Sequence, residues 1–142
     1  MSKREQAAEI IHEQWKKRNT WAKNTDLYKS YKDLPQHEKN KDRRHVDVVL
    51  AYYKKGFVSK YALKSIIPAI LHQQWLDAYK RENKGPRWKQ YKDANGNVIC
   101  ECDIAVEYGL LSCEQSKTEN IAASVAAINA VFKVYGLGPN PK

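Results

Sequence analysis

The chain has 142 residues, of which 25 are lysine or arginine and 16 are aspartate or glutamate, giving a formal net charge of +9. This length predicts one compact domain or two very small ones, and 42% hydrophobic with 29% charged residues is typical of globular proteins rather than disordered ones. No apolar run approaches the ~20 residues of a membrane span. The basic N-terminus soon turns polar and acidic, unlike a signal peptide. We therefore expect a cytoplasmic protein that does not insert into a membrane.

The positive charge is concentrated in the first two-thirds of the chain. Residues 1–92 contain 22 lysines and arginines against 10 acidic residues, whereas residues 93–142 contain 3 against 6. This asymmetry indicates a basic face that attracts an anionic partner. Lysines that only keep exposed helix faces in water would give the same counts, so both interpretations stay open.

Four stretches have the apolar spacing that is typical of amphipathic helices. They cover residues 3–19, 35–55, 59–82 and 118–135. The second begins near Pro35, which is tolerated in a first turn, and stops at Gly56, a typical C-terminal residue. Pro68 must either kink the third helix or mark its start. Residues 20–34 are expected to be irregular or weakly extended.

A β-hairpin is predicted near residues 87–104, so the expected fold class is mainly α (α+β). An Asn-Gly pair lies there between two runs of strand-forming residues, which is the strongest short-range hairpin signal. Cys100 and Cys102 alternate in its second strand, and Cys113 follows later in the chain. Because no Cys-x-x-Cys pair is present, we expect three ordinary reduced thiols.

Part of the chain is repeated. Ile10–Trp15 matches Ile70–Trp75 at an offset of sixty, with four of six residues identical, and residues 40–56 can be laid on 120–136 at an offset of eighty. The hairpin accounts for the extra length of the second copy. The repeat predicts two helix–connector–helix units packed into one body, although chance similarity between amphipathic helices is the alternative. The predicted units are residues 1–57 and 58–142.

The first copy resembles the RyR repeat, the module named from ryanodine receptors and also found in bacteria and phages. The resemblance rests on Ile-His-Glu-x-Trp at residues 11–15 and on Tyr-x-x-Leu-Pro-x-x-Glu-Lys-x-x-Asp-Arg at residues 31–43. It covers about residues 8–57. The second copy is similar mainly through His72 and Trp75 and its final helix. The resemblance implies recognition of a ligand or protein rather than catalysis, by units that occur in pairs.

Nine residues are candidates for a ligand site. The two histidines each precede a tryptophan by three residues, so imidazole and indole share a helix face and could contact an anionic or heterocyclic ligand. Tryptophan can stack on a nucleobase, and adjacent arginines can pair with a phosphate or carboxylate. Burial in the core is the alternative for the histidines and aromatic residues. The candidates are His12, Trp15, Trp21, Tyr31, Arg43, Arg44, His72, Trp75 and Trp88.

We predict neither a metal site, nor a cofactor, nor enzymatic activity. Glu38, Asp42 and His45 have a spacing that fits metal ligation, but the same spacing is common on exposed helices that support themselves by charge pairs. A Gly-rich phosphate loop, a nucleophile elbow and the H-E-x-x-H motif are all absent from the sequence.

The favoured hypothesis is a non-enzymatic binding protein for an anionic, nucleotide-like small molecule held between paired helices. The resemblance extends this hypothesis to a phage protein that captures a host defence signal in the host cytoplasm. Two alternatives are sequence-tolerant nucleic-acid binding by residues 1–92 and a protein-interaction adaptor that blocks a host enzyme. The sequence also leaves homo-oligomerisation open.

Overall fold

The computed structural model describes residues 1–138. The helices are α1 (Lys3–Arg18), α2 (Gln36–Lys54), α3 (Lys60–Glu82) and α4 (Glu114–Tyr135), and the strands are β1 (Trp88–Lys92) and β2 (Val98–Asp103). The prediction of a mainly α fold with a β-hairpin is confirmed. In the described part of the chain, none of the helices combines the length and the hydropathy that crossing a membrane requires.

Contacts divide the chain into two units. Unit 1 contains residues 1–65 together with a segment that begins at residue 123, and unit 2 contains residues 66–122. Helices α3 and α4 therefore contribute to both units. The predicted boundary at residue 57 concerns the repeat rather than these contacts, and it stays a prediction.

Unit 1 is built on the packing of α1 against α2. Helix α1 begins at Lys3 because the hydroxyl of Ser2 accepts a hydrogen bond from the backbone N–H of Glu5 at 3.2 Å. Small and branched apolar side chains fill the core of this unit, which is the main source of its stability. The core includes Ala7, Ala8, Ile11, Val46, Val49, Leu63, Ile128 and Val131.

The segment between α1 and α2 contains more regular structure than the sequence indicated. It forms three short 3₁₀ helices, Thr20–Asn24, Asp26–Tyr28 and Tyr31–Asp33. Hydroxyl groups close these turns: Thr25 Oγ1 donates to the carbonyl of Ala22 at 2.7 Å. Such local bonds compete with a continuous α-helix. The resulting 3₁₀ helices are too short to show a helical apolar repeat in the sequence.

Helix α3 begins close to its predicted position, whereas α4 begins earlier than its apolar spacing suggested. Helix α3 begins at Lys60 and continues through Pro68, so the alternative that Pro68 marks its start is wrong. Helix α4 begins at Glu114 rather than at residue 118. In the part of α4 that was not predicted, the buried position 116 is occupied by a serine, and this polar residue concealed the apolar face.

The hairpin turns at residues 93–97, as the Asn-Gly pair predicted. Asp93 Oδ1 accepts hydrogen bonds from the N–H groups of Asn95 and Asn97 at 2.9 and 3.0 Å. Gly96 has a φ of 83°, a conformation that favours glycine. The strand register pairs Lys89 with Cys102 and Tyr91 with Cys100, which places these four side chains on one face.

This face of the hairpin is joined to the first turns of α4. Tyr91 Oη donates to Glu119 Oε1 at 2.8 Å and lies 2.6 Å from Ser116 Oγ. Cys100 forms a disulfide with Cys113, so the expectation of three reduced thiols is wrong for this pair. The sulfur atoms meet because β2 and the start of α4 adjoin, a long-range contact that sequence spacing does not reveal. Cys102 is a buried free thiol, as expected.

Candidate functional site

His12 is a buried residue that joins α1 to the connector of unit 1. Its Nε2 lies 2.7 Å from the carbonyl oxygen of Lys29, and because a carbonyl can only accept, Nε2 carries the hydrogen. The imidazole lies nearly parallel to the indole of Trp15, with an interplanar angle of 12° and centroids 5.8 Å apart. It also contacts the ring of Tyr31 at 6.5 Å. His12 therefore positions Trp15 and is itself closed to a ligand.

His72 makes the same set of contacts in unit 2. Its Nε2 donates to the carbonyl of Val106 at 2.7 Å, and its ring stacks on Trp75 at 5.5 Å and tilts against Tyr108 at 6.2 Å. Val106 follows Lys29 by 77 residues, as Tyr108 follows Tyr31. The two connectors thus correspond in structure at an offset of 77 residues. The sequence repeat gave an offset of eighty for the helices that follow them.

Arg43 is committed to partners within unit 1. Its Nε and Nη2 donate to the two carboxylate oxygens of Glu5, each at 2.7 Å, and Nη1 donates to Gln36 and Asn40. Tyr31 also donates to Glu5, at 2.9 Å. The hydrogen bonds from Arg43 lower the pKa of Glu5, and burial raises the pKa of Tyr31 to about 12. All three guanidinium nitrogens of Arg43 and the hydroxyl of Tyr31 are thus engaged within unit 1. Neither residue belongs to the candidate site.

The two adjacent arginines should respond differently to substitution. Arg43→Ala should lower the melting temperature, because the partly buried carboxylate of Glu5 loses its cation and keeps only the hydrogen bond from Tyr31. Arg44 is exposed and makes no hydrogen bond within residues 1–138, so Arg44→Ala should leave the melting temperature unchanged. Thermal unfolding followed by circular dichroism checks both variants. Equal melting temperatures for the two would contradict a structural role of Arg43.

Trp21 is exposed and yet held in a fixed position. Its side chain is 71% exposed, and its Nε1 donates to Asn19 Oδ1 at 3.1 Å. Asn19 is itself anchored by Nδ2, which donates to the carbonyl of Trp15 at 2.8 Å. The two indoles stand at 73° with centroids 6.3 Å apart. We call Trp15, Asn19 and Trp21 the Trp corner.

The end of α1 next to the Trp corner is rich in cations. Lys16, Lys17 and Arg18 form the last turn of α1, and Lys17 is exposed. Burial, followed by the positive charges of Arg44 and Arg18, lowers the pKa of His45 to about 4. Arg44 and the end of α1 therefore contribute to one electropositive region of unit 1.

The predicted tryptophans of unit 2 are arranged differently. Trp75 stacks on His72 and also on Tyr79, at 5.3 Å and 20°, while the Arg87 guanidinium lies 5.8 Å from its ring centroid. Its ring is thus already occupied by neighbours. Trp88 is 63% exposed on β1, opposite Asp103 in the hairpin, and makes no ring–ring contact within the described residues.

Asp42 is a neighbour of His12 that the sequence did not connect with it. Its Oδ2 lies 3.9 Å from His12 Nδ1. Burial, and then the negative charge of Glu38, raise the pKa of Asp42 to about 7. The raised pKa favours the protonated form of Asp42 at this buried position beside His12. Over residues 1–138, His, Cys, Asp and Glu form no group of three that could hold a metal ion.

Comparison with protein families, curated proteins and solved structures found no match to the chain. The resemblance to the RyR repeat therefore stays a prediction. Glu5 and Asn19 were missed by sequence reasoning, and Asp42 was considered only as a metal ligand. All three are polar residues whose partners became evident only from their distances. Asn19, two residues before Trp21, had a local signal, because asparagine often ends helices through side-chain bonds.

Proposed function

We propose that the protein is a non-enzymatic binding protein that holds an anionic nucleotide at the Trp corner of unit 1. The observation that carries this proposal is Trp21, an indole that is 71% exposed but fixed by Asn19 against Trp15. A ring that is already ordered loses little conformational freedom when a ligand stacks on it. A fixed and exposed aromatic surface is therefore suited to binding.

The geometry of the Trp corner suits a flat heterocycle. The rings of Trp15 and Trp21 are close to perpendicular, so a base that stacks on one ring presents its edge to the other. His12 fixes the orientation of Trp15 from the core side through its bond to Lys29. Stacking of a base on an aromatic side chain contributes about 1–3 kcal/mol.

The nearby cations supply the second half of the recognition. Lys17 and Arg44 are exposed and can pair with a phosphate, and the planar guanidinium of Arg44 can bind two of its oxygens. Capture of a nucleotide signal in the cytoplasm of a phage-infected host is the biological setting that the RyR resemblance suggests. A nucleotide is favoured over a nucleic acid because the Trp corner presents one strongly exposed indole, Trp21, rather than a row of stacking residues.

Titration calorimetry with ATP and with adenosine tests the proposal. Trp21→Ala should weaken ATP binding about 5- to 150-fold, which corresponds to the loss of one stacked base. Arg44→Ala should weaken the binding of ATP more than that of adenosine. The matched control is Trp88→Ala, which removes a similarly exposed indole from unit 2 and should leave the affinity unchanged.

Three results would contradict nucleotide binding at this site. The first is the absence of any mononucleotide binding, and the second is an equal loss of affinity in Trp21→Ala and Trp88→Ala. The third is salt-sensitive binding of oligonucleotides alone, which would favour the nucleic-acid alternative. Co-purification of a stoichiometric host protein without nucleotide binding would favour the adaptor.

A further inference from the structure

The connector of unit 2, residues 104–112, is held at its two ends by different kinds of bond. At its start, the N–H of Ile104 donates to the carbonyl of Arg87 at 2.9 Å, and Val106 then accepts the hydrogen bond from His72. At its end, Cys113 is covalently joined to Cys100 on β2. The disulfide thus closes the loop that carries both the carbonyl and the tyrosine that contact His72.

The corresponding connector of unit 1 is held without a disulfide. There the hydroxyl of Tyr31 donates to Glu5, and Glu5 is paired with Arg43. The equivalent residue of unit 2, Tyr108, is only half-buried, and its hydroxyl makes no hydrogen bond within residues 1–138. The connector of unit 2 is therefore held by a covalent bond that a reductant can break. The connector of unit 1 is held through an ion pair that a reductant does not affect.

We propose that the Cys100–Cys113 disulfide is a redox-active site, and that its reduction by a dithiol releases the unit 2 connector from His72. The dithiol attacks the sulfur of Cys100, because Cys113 is completely buried, and the thiolate of Cys113 leaves. The second thiol of the reductant then displaces Cys100 and closes its own disulfide. Two electrons and two protons end on Cys100 and Cys113 as thiols.

Reduction should affect only the connector, because the other contacts between the hairpin and α4 are hydrogen bonds and an ion pair, which a dithiol does not break. Tyr91 donates its one proton to Glu119, so the 2.6 Å contact with Ser116 must have the serine as donor. Lys89 pairs with the same Glu119 at 3.0 Å. These bonds keep the hairpin on α4 when the sulfur bond opens. The unit 2 connector would be ordered in an oxidising compartment and mobile in the reducing cytoplasm.

Hydrogen exchange of the full chain, read by mass spectrometry, tests this proposal. After reduction with dithiothreitol, amides in residues 104–112 should exchange about tenfold faster or more, since closing a short loop by a disulfide is worth at least that factor. The double variant Cys100→Ser with Cys113→Ser should exchange fast in both conditions. Cys102→Ser is the matched control and should keep the oxidised behaviour and its response to reduction. Residues 20–34 should not change.

Alkylation of free thiols in denaturant, which exposes the buried cysteines, followed by mass measurement, fixes the redox state in each sample. One modified cysteine in the oxidised protein and three after reduction are expected. Three modified cysteines even after treatment with oxidised glutathione would overturn the proposal. Exchange in residues 104–112 that is unchanged by reduction, or that accelerates equally along the whole chain, would overturn it as well. None of these readouts depends on a ligand at the Trp corner, so the two proposals can fail separately.

Discussion

Replacement of His12 by alanine should lower the free energy of unfolding by about 2–4 kcal/mol. The substitution leaves the carbonyl of Lys29 without its donor and opens a cavity beside the rings of Trp15 and Tyr31. The imidazole is buried and its bond to Lys29 is partly buried, so water compensates these losses only in part. His72→Ala should have a similar effect, because His72 makes the corresponding bonds to Val106 and Trp75. Urea unfolding followed by circular dichroism measures these changes.

Two matched variants separate the hydrogen bond from general effects of substitution. His12→Gln places an amide N–H near the position of Nε2 and should recover part of the loss. His37→Ala removes a histidine whose side chain is 76% exposed and should change the free energy of unfolding by less than about 0.5 kcal/mol. If His12→Ala were as stable as His37→Ala, the structural role of His12 would be wrong.

Asp42→Asn should stabilise the protein at alkaline pH and have little effect in acid. The pKa of Asp42 is raised from its ordinary 3.8 to about 7, so the folded state binds more protons than the unfolded state between these two values. The carboxyl group therefore lowers stability progressively as the pH rises from about 4 to 7. The neutral amide does not, and the gain in unfolding free energy should grow from near zero at pH 4 to about 2–4 kcal/mol at pH 8.

The contribution of His45 to stability has the opposite pH dependence. A comparison of the natural chain with Asp42→Asn cancels this contribution. Its pKa is lowered to about 4, so its contribution to stability is complete above about pH 6.5 and is lost as the pH falls through 4. Since both the natural chain and Asp42→Asn contain His45, its contribution cancels, and their difference reports on Asp42 together with its interactions with His12 and Glu38. Urea unfolding from pH 4 to 8 gives this difference. A difference that does not change with pH would contradict the buried, protonated state of Asp42.

Apolar spacing and turn residues were sufficient to predict the four α-helices and the hairpin, but not the 3₁₀ helices of residues 20–34. The helices depend on local periodicity, and the hairpin depends on Asn95 and Gly96 with their flanking strands, so neither required knowledge of distant residues. The exception is the start of α4, where Ser116 occupies a buried position and interrupts the apolar pattern. Its hydroxyl bonds to Tyr91, a partner that periodicity cannot show.

The site was predicted less completely because it depends on pairs that are distant in sequence. Arg43 is an attractive anion ligand until its partner Glu5, 38 residues away, is known. The disulfide likewise joins residues on different elements. By contrast, the pairing of histidine with tryptophan is local, and the repeat identified both copies. What the repeat could not show is that each histidine bonds to a backbone carbonyl and that only one Trp site carries a second, exposed indole, Trp21.

The most direct test of the central claim is a titration of the indole N–H signals by ¹⁵N–¹H nuclear magnetic resonance. The chain has four tryptophans, so four signals are expected, and single Trp→Phe variants assign them. Binding of ATP at the Trp corner should shift the signals of Trp15 and Trp21 in a saturable way and leave that of Trp88 unchanged. Saturating ATP that moves none of these signals, or that moves Trp88 as much as Trp21, would contradict nucleotide binding at the Trp corner.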